Sequence, residues 1–233
     1  MEYAAAISHV AALIADPKRS ALLWALIDGA SRGADELASL AGVSATSAGA
    51  HLARLSAAGL LTREARGRKR FFRLAAPEVG VAVEALASAS ALSGPRAERG
   101  TRPEAPGTAA MRQARRCGDH LGGVVAAQLY RQLLAAGWVQ GDGNAALLTP
   151  AGVAGLERLG IYVQALAQRS RLQVTPCCDW CESGPHIGGA LGTGLLRLAL
   201  QRQWLQPLAG SRALRVTAQG AQALAALGGP PVT

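Results

Sequence analysis

Four cysteines and two histidines in the second half of the chain have types and spacings that suit soft-metal chemistry. Cys117 and His120 stand three residues apart, and Cys177, Cys178 and Cys181 crowd into one short segment ahead of His186. Thiolates are soft donors, suited to zinc, cadmium, mercury, lead, copper(I) or trivalent arsenic; the sequence shows no oxygen cluster of the kind hard cations need. A closed tetrahedral zinc site wants four ligands, which cysteine and histidine together can supply, whereas three thiolates alone suit trigonal arsenic or mercury. Two other chemistries stay open. Cys178-Asp179-Trp180-Cys181 is a C-x-x-C spacing able to close a disulfide or act as a redox switch, although no thioredoxin-like strand, turn and helix frames it. Cys117 and Cys177 could equally be buried packing residues, with His120 and His186 capping the helices that follow.

The elements that must position these residues occur twice. Sliding His120-Leu121-Gly122-Gly123 onto His186-Ile187-Gly188-Gly189 sets an offset of 66 residues, which carries Leu129 onto Leu195 and Trp138 onto Trp204. After a two-residue slip, Leu148-Thr149-Pro150-Ala151-Gly152 meets Val216-Thr217-Ala218-Gln219-Gly220, and Leu159-Gly160 meets Leu227-Gly228. Each copy reads as a helix (122–136 and 188–203), a Trp-led strand, a loop, a strand ending in Thr149 or Thr217, and a closing helix. Residues 111–233 are therefore expected to form an effector-sensing domain of two degenerate winged-helix-like repeats, about 111–165 and 177–229. Their packing should bring Cys117 and His120 near the matching element of the second copy.

The first half is different. Helical periodicity covers 4–14, and Asp16-Pro17 reads as a cap and first-turn proline opening a helix over 18–28. After a turn at 29–33, a short helix over 34–41 ends at Gly42, and Ser44 caps another that runs to about Ala58. Leu60-Leu61-Thr62 and Arg70-Phe71-Phe72-Arg73-Leu74 read as the strands of a wing around a basic loop, and a helix over 78–91 follows. Prolines, glycines and charges make 93–110 a linker between a domain at 1–92 and the repeats. The expected fold class is mainly α with small β wings: an N-terminal winged helix-turn-helix plus a C-terminal tandem repeat of winged-helix-like units.

Composition agrees with that class. Hydrophobic residues make up 50% and aromatic residues 4%, with Ala and Leu prevailing, a mixture that favours helices. The formal charge of +9 and pI near 10.4 suit a polyanionic partner such as a phosphate backbone. No apolar run reaches the ~18 residues of a membrane span, and no signal peptide opens the chain, so the cytoplasm is expected and a membrane is not. A nucleophile elbow and a phosphate-cradling glycine loop are missing, and no carboxylates pair beyond Asp119 and Asp179, which argues against an enzyme and leaves a thiol or zinc enzyme as the lesser alternative.

In 34–58 the helix-turn-helix order is explicit: Ala34–Ala41 supports, Gly42 turns, Val43 plugs the angle and Ser44 starts the recognition helix. Ala48, Leu52 and Leu55 face the core, leaving Ser44, Thr46, Ser47, Gly49, Ala50, His51 and Arg54 towards a major groove. Arg63, Arg66, Arg68, Lys69 and Arg70 of the wing are spaced to meet phosphates or a minor groove.

These residues, from Gly42-Val43-Ser44 through His51-Leu52 and Leu55 to Ala58-Gly59-Leu60-Leu61 and a basic wing ending Phe71-Phe72-Arg73-Leu74, resemble the ArsR/SmtB-like regulators over roughly residues 8–91. The resemblance implies a homodimeric repressor on double-stranded operator DNA, with recognition helices in successive major grooves roughly 34 Å apart. The family's Cys-Val-Cys metal motif on the supporting helix is replaced by Glu36-Leu37-Ala38, so sensing must lie elsewhere. The second half resembles a subset with Cys-x-Asp-His-Leu and Cys-x-Asp-Trp segments, here Cys117-Gly118-Asp119-His120-Leu121 and Cys177-Cys178-Asp179-Trp180 before His186. The candidate effector ligands are thus Cys117, His120, Cys177, Cys178, Cys181 and His186. The effector itself is a soft metal or metalloid ion, an oxidant, or a small organic ligand between the repeats.

Overall fold

The computed structural model describes residues 2–93, 108–141, 146–163, 174–181 and 184–228. The chain divides into two compact units, Met1–Ala109 and Ala110–Thr233. Most of the expected linker at 93–110, and part of the loop at 140–144, lie outside the described residues. Among the described residues no helix is long and apolar enough to cross a membrane.

In the first unit, α1 (Glu2–Ile14) leads to α2 (Pro17–Trp24), whose start is built as the sequence implies. Asp16 accepts hydrogen bonds from the backbone N–H of Lys18 and Arg19, both at 3.0 Å, and Pro17 fills the first helical position. The α-helix stops four residues short of the expected Asp28. The chain tightens into i to i−3 turns, with Leu26, Ile27 and Gly29 donating to Leu23, Trp24 and Leu26. That tightening turns Asp28 inward, where it meets Arg32 in a two-pronged pair at 2.7 Å on both oxygens. Arg32 lies in a short strand, β1 (Arg32–Gly33), where part of the turn expected at 29–33 instead pairs with a later strand.

The chain continues through α3 (Ala34–Ala41), Gly42 in the left-handed conformation at φ 64°, and α4 (Ala45–Ala57). The hairpin β2 (Leu61–Arg66) and β3 (Lys69–Leu74) follows, then α5 (Pro77–Ser93). The antiparallel sheet has the order β1-β3-β2. Its hairpin turns on Gly67 and Arg68 alone, with Gly67 at φ 62°, so the strands reach further than expected and carry Arg63 and Arg66 within β2. Leu22, Leu23, Leu37, Leu52, Leu55, Phe72 and Leu74 bury the seam between helices and sheet. Supporting helix, turn, second helix and hairpin together make a winged helix-turn-helix.

In the second unit α6 (Thr108–Gln113) precedes a hairpin of β4 (Arg115–Cys117) and β5 (His120–Gly122), then α7 (Val124–Ala135), β6 (Val139–Gln140), β7 (Leu147–Leu148) and α8 (Pro150–Arg158). A second hairpin, β8 (Thr175–Cys177) and β9 (His186–Gly188), leads into α9 (Gly189–Gln201), β10 (Leu205–Pro207), β11 (Leu214–Val216) and α10 (Ala218–Ala226). Local details coincide. The hydroxyls of Thr149 and Thr217 accept from Gly152 N at 3.0 Å and Gly220 N at 2.9 Å, capping α8 and α10. A Cβ on either glycine would come within 2.2 Å or 2.0 Å of the Trp138 or Trp204 carbonyl oxygen, so these helix starts require glycine. The hairpins are exchanged: β5 packs on α9 and β9 on α7, while β5 and β9 also touch each other. Backbone bonds follow the same exchange, Arg116 N to Arg212 O and Val174 N to Ala146 O, both at 2.9 Å. One continuous core results, from Leu121, Leu133 and Trp138 to Ile187, Leu196 and Trp204.

Candidate functional site

Two antiparallel hairpins place the metal-type residues. In the first, Gly118 adopts φ 63° and allows a two-residue turn, so Cys117 pairs directly with His120. In the second, Cys177 pairs with His186 across a longer connection. Cross-strand neighbours project on one face, and contact between β5 and β9 brings the two faces together. The donor atoms of Cys117, His120, Cys177 and His186 all lie within 4.8 Å of one another. Glycines make room for them. A Cβ on Gly122 would stand 2.9 Å from the Cys117 Cβ, and one on Gly192 of α9 would stand 2.9 Å from the His120 Cβ.

Each imidazole is held by a carboxylate. His120 Nδ1 lies 3.0 Å from Asp119 Oδ1, and His186 Nδ1 lies 3.1 Å from Asp179 Oδ2. The carboxylates are anchored in opposite halves: Asp119 accepts from the Thr193 hydroxyl on α9 at 2.8 Å, and Asp179 from Gly123 N at the start of α7 at 2.7 Å. The two anchors differ in exposure, with the Asp119 side chain 69% accessible and that of Asp179 fully buried. Asp179 also meets the Arg115 guanidinium at 3.1 Å, itself buried under the Trp180 ring at 4.7 Å.

The electrostatics favour positive charge inside the cluster. Burial pushes both imidazoles towards neutrality, but the acceptors Cys117 and Asp119 beside His120, and Asp179 and Cys117 beside His186, outweigh it and raise both above the ordinary histidine value. The thiols split: the hydrogen bond between them lifts Cys117 and lowers Cys177, marking Cys177 as the readier thiolate. Burial opposes charge on Asp179, yet His186, Arg115 and Cys181 keep it far below the usual carboxylate range.

Cys178 and Cys181 stand apart from this group. Cys178 is exposed, and the Cys181 thiol hydrogen-bonds to Asp179 Oδ1 at 2.9 Å, away from the donors. Burial and that carboxylate push Cys181 up to about 12, which makes it a poor nucleophile. None of the four cysteines is in a disulfide. Arg115, Thr193 and the orienting roles of the two aspartates escaped the sequence reading, although a Cys-x-Asp in each segment was the available signal.

In the first unit Ser44, Thr46, Gly49, Ala50 and Arg54 are exposed on α4, with Ser47 half-buried. His51 is turned towards the α2 cap, its Nδ1 3.9 Å from Asp16 Oδ1 and its side chain only 15% accessible. Arg68, Lys69 and Arg70 are exposed at the hairpin tip. Arg66 binds Glu64 at 2.9 Å and lies over the Phe71 ring at 4.8 Å.

No family model matches the chain. A curated relative from Bacillus subtilis (strain 168), named as the uncharacterized HTH-type transcriptional regulator YdfF, is 33% identical over 214 residues, covering 92% of this chain and 93% of that protein. The alignment therefore spans both units. Among solved structures, reduced HlyU from Vibrio cholerae N16961 is 22% identical, with 35% of this chain and 85% of that one covered and a TM-score of 0.33. The solution structure of the homodimeric winged helix-turn-helix DNA-binding domain of Mb0332 from Mycobacterium bovis, a possible ArsR-family regulator, is 23% identical, with 35% and 75% covered and a TM-score of 0.33.

Proposed function

The chain belongs to the HTH-type transcriptional regulators, and from that membership we propose that it is a cytoplasmic, homodimeric repressor of the ArsR type, released from its operator when a soft metal ion binds Cys117, His120, Cys177 and His186. The observation that carries this reading is the presence in one chain of a winged helix-turn-helix and a Cys/His cluster with buried imidazoles and half-buried thiols, all four donor atoms within 4.8 Å. The second unit is read as a tandem repeat of winged-helix-like halves in which each hairpin supplies one thiol and one imidazole. An ion held by both halves favours the one arrangement that satisfies it, and it can release DNA only through a difference in affinity between the two states. A redox switch between Cys178 and Cys181 is disfavoured by the protonated, carboxylate-bound thiol of Cys181. Four protein donors leave no open coordination position for catalysis.

The test is binding of the reduced, metal-free protein to the duplex upstream of its own gene, titrated with zinc, cadmium, mercury and arsenite. Release by one ion at fixed stoichiometry, abolished in Cys117→Ser and Cys177→Ser, is expected; DNA binding indifferent to every ion would refute metal control.

Dimerisation is read from the first unit. Tyr3 and Ile7 on α1 are 86% and 68% exposed, and Leu86 on α5 is 52% exposed, an apolar display that a lone unit leaves in water. Ile7→Glu with Leu86→Glu is expected to give a monomer in sedimentation and at least tenfold weaker operator binding, because the two half-sites are then engaged separately. A dimer that survives both changes would place the interface elsewhere.

A further inference from the structure

The reading above leaves the ion's class open, and the site's own chemistry narrows it. His120 Nδ1 is hydrogen-bonded to Asp119 and His186 Nδ1 lies 3.1 Å from an Asp179 oxygen, which favours the Nδ1–H form of both rings and leaves each Nε2 with a lone pair. Those two Nε2 atoms lie 3.1 Å apart in a buried setting, with His186 fully inaccessible. Two acceptors at that distance repel unless a cation or proton sits between them. In a tetrahedral zinc site with Zn–N of about 2.0–2.1 Å, neighbouring nitrogens fall roughly 3.3 Å apart, close to the spacing of this pair.

The geometry points to a closed, four-coordinate site within one chain that takes a single divalent ion of borderline softness, zinc(II) being the type, with Asp119 and Asp179 as positioning residues for its histidines. This rests on the reading of the cluster as a metal site and deepens it. Only two thiols belong to the donor group, one short of the three that trigonal arsenic or mercury prefers; Cys178 is exposed and the Cys181 thiol is turned onto Asp179. Among the described residues no carboxylate oxygen belongs to the donor group, and the two thiols there are poor ligands for magnesium and calcium. Two imidazoles with two thiolates match tetrahedral zinc and cobalt(II).

The test is titration of the reduced, metal-free full chain with cobalt(II), whose visible spectrum reports geometry and thiolate ligation. One cobalt per chain is expected, with the intense visible bands of a tetrahedral ion and a near-ultraviolet thiolate band, all displaced by equimolar zinc and untouched by arsenite. Cys178→Ser with Cys181→Ser should leave the spectrum unchanged, whereas Cys117→Ser should abolish or reshape it. Asp119→Ala, at an exposed side chain, should keep the spectrum and weaken cobalt binding by roughly 10–100-fold. A pale octahedral spectrum, one cobalt per two chains, displacement by arsenite, or loss of binding in the Cys178/Cys181 double variant would each overturn the assignment. Operator binding measured on the same samples separates the two readings. Tetrahedral cobalt without release of DNA retains the ion class and removes its role as effector.

Discussion

Replacing Arg63, Arg68, Lys69 and Arg70 together by alanine is expected to weaken operator binding by roughly 10²–10³-fold at about 0.1 M salt, while leaving the melting temperature of the first unit nearly unchanged. The reasoning is electrostatic. Each cation that meets a phosphate releases condensed counterions and contributes about 0.9 to the slope of log affinity against log salt. Losing about three such contacts therefore lowers affinity by close to three decades relative to molar salt and flattens the slope by nearly three. All four side chains are exposed on a hairpin whose buried residues are Leu61, Phe72 and Leu74, so the fold has little stake in them. Arg66 is deliberately excluded, because its pairing with Glu64 and its stacking on Phe71 support the hairpin. A salt slope unchanged in the quadruple variant would show that the wing does not track the backbone.

The second large effect lies in the other unit. Arg115→Ala is expected to destabilise it by about 3–5 kcal/mol, the usual cost of removing one partner from a buried ion pair. Arg115 and Asp179 side chains are both inaccessible, 3.1 Å apart, and the arginine joins β4 to the segment beyond β8. Its loss leaves Asp179 charged and buried, and the carboxylate that fixes His186 is then drawn to whatever donors remain. Calorimetry should resolve separate transitions for the two units, with only the second shifted, by roughly 10–20 °C. A shift of a degree or two would mean that water reaches the pair. A metal titration of the same variant should show weaker binding, since its effect passes through His186.

Much of the first unit was legible because its signals are local. Ala34–Ala41 has the expected boundaries, and the Asp16 and Ser44 caps stand where the residue types place them. Leu26 to Asp28 was not legible as a tightened turn, since it goes with the buried pair of Asp28 and Arg32, a contact that helical periodicity does not encode. In the second unit the matched Trp, Thr and Gly positions were visible, but the two short hairpins that carry the cysteines and histidines were not. Strands of three residues carry too little alternation to read; the approach of Cys117 and His120 to the later segment was expected, but its route, through contact of β5 with β9, was not. Cys178 and Cys181 show the limit of counting thiols: proximity along the chain put them with the ligands, while the structure turns one to solvent and the other to Asp179.

The exchange of hairpins also sets an order of events during synthesis. The strand packed most closely on α7 is β9 and the strand packed most closely on α9 is β5, although each helix also touches the hairpin that precedes it. His120 must therefore wait for His186, 66 residues later, and at translation rates of about 5–20 residues per second that wait is roughly 3–13 s. For that interval the nascent chain carries a thiol and an imidazole as an open pair, and only the finished unit closes around them.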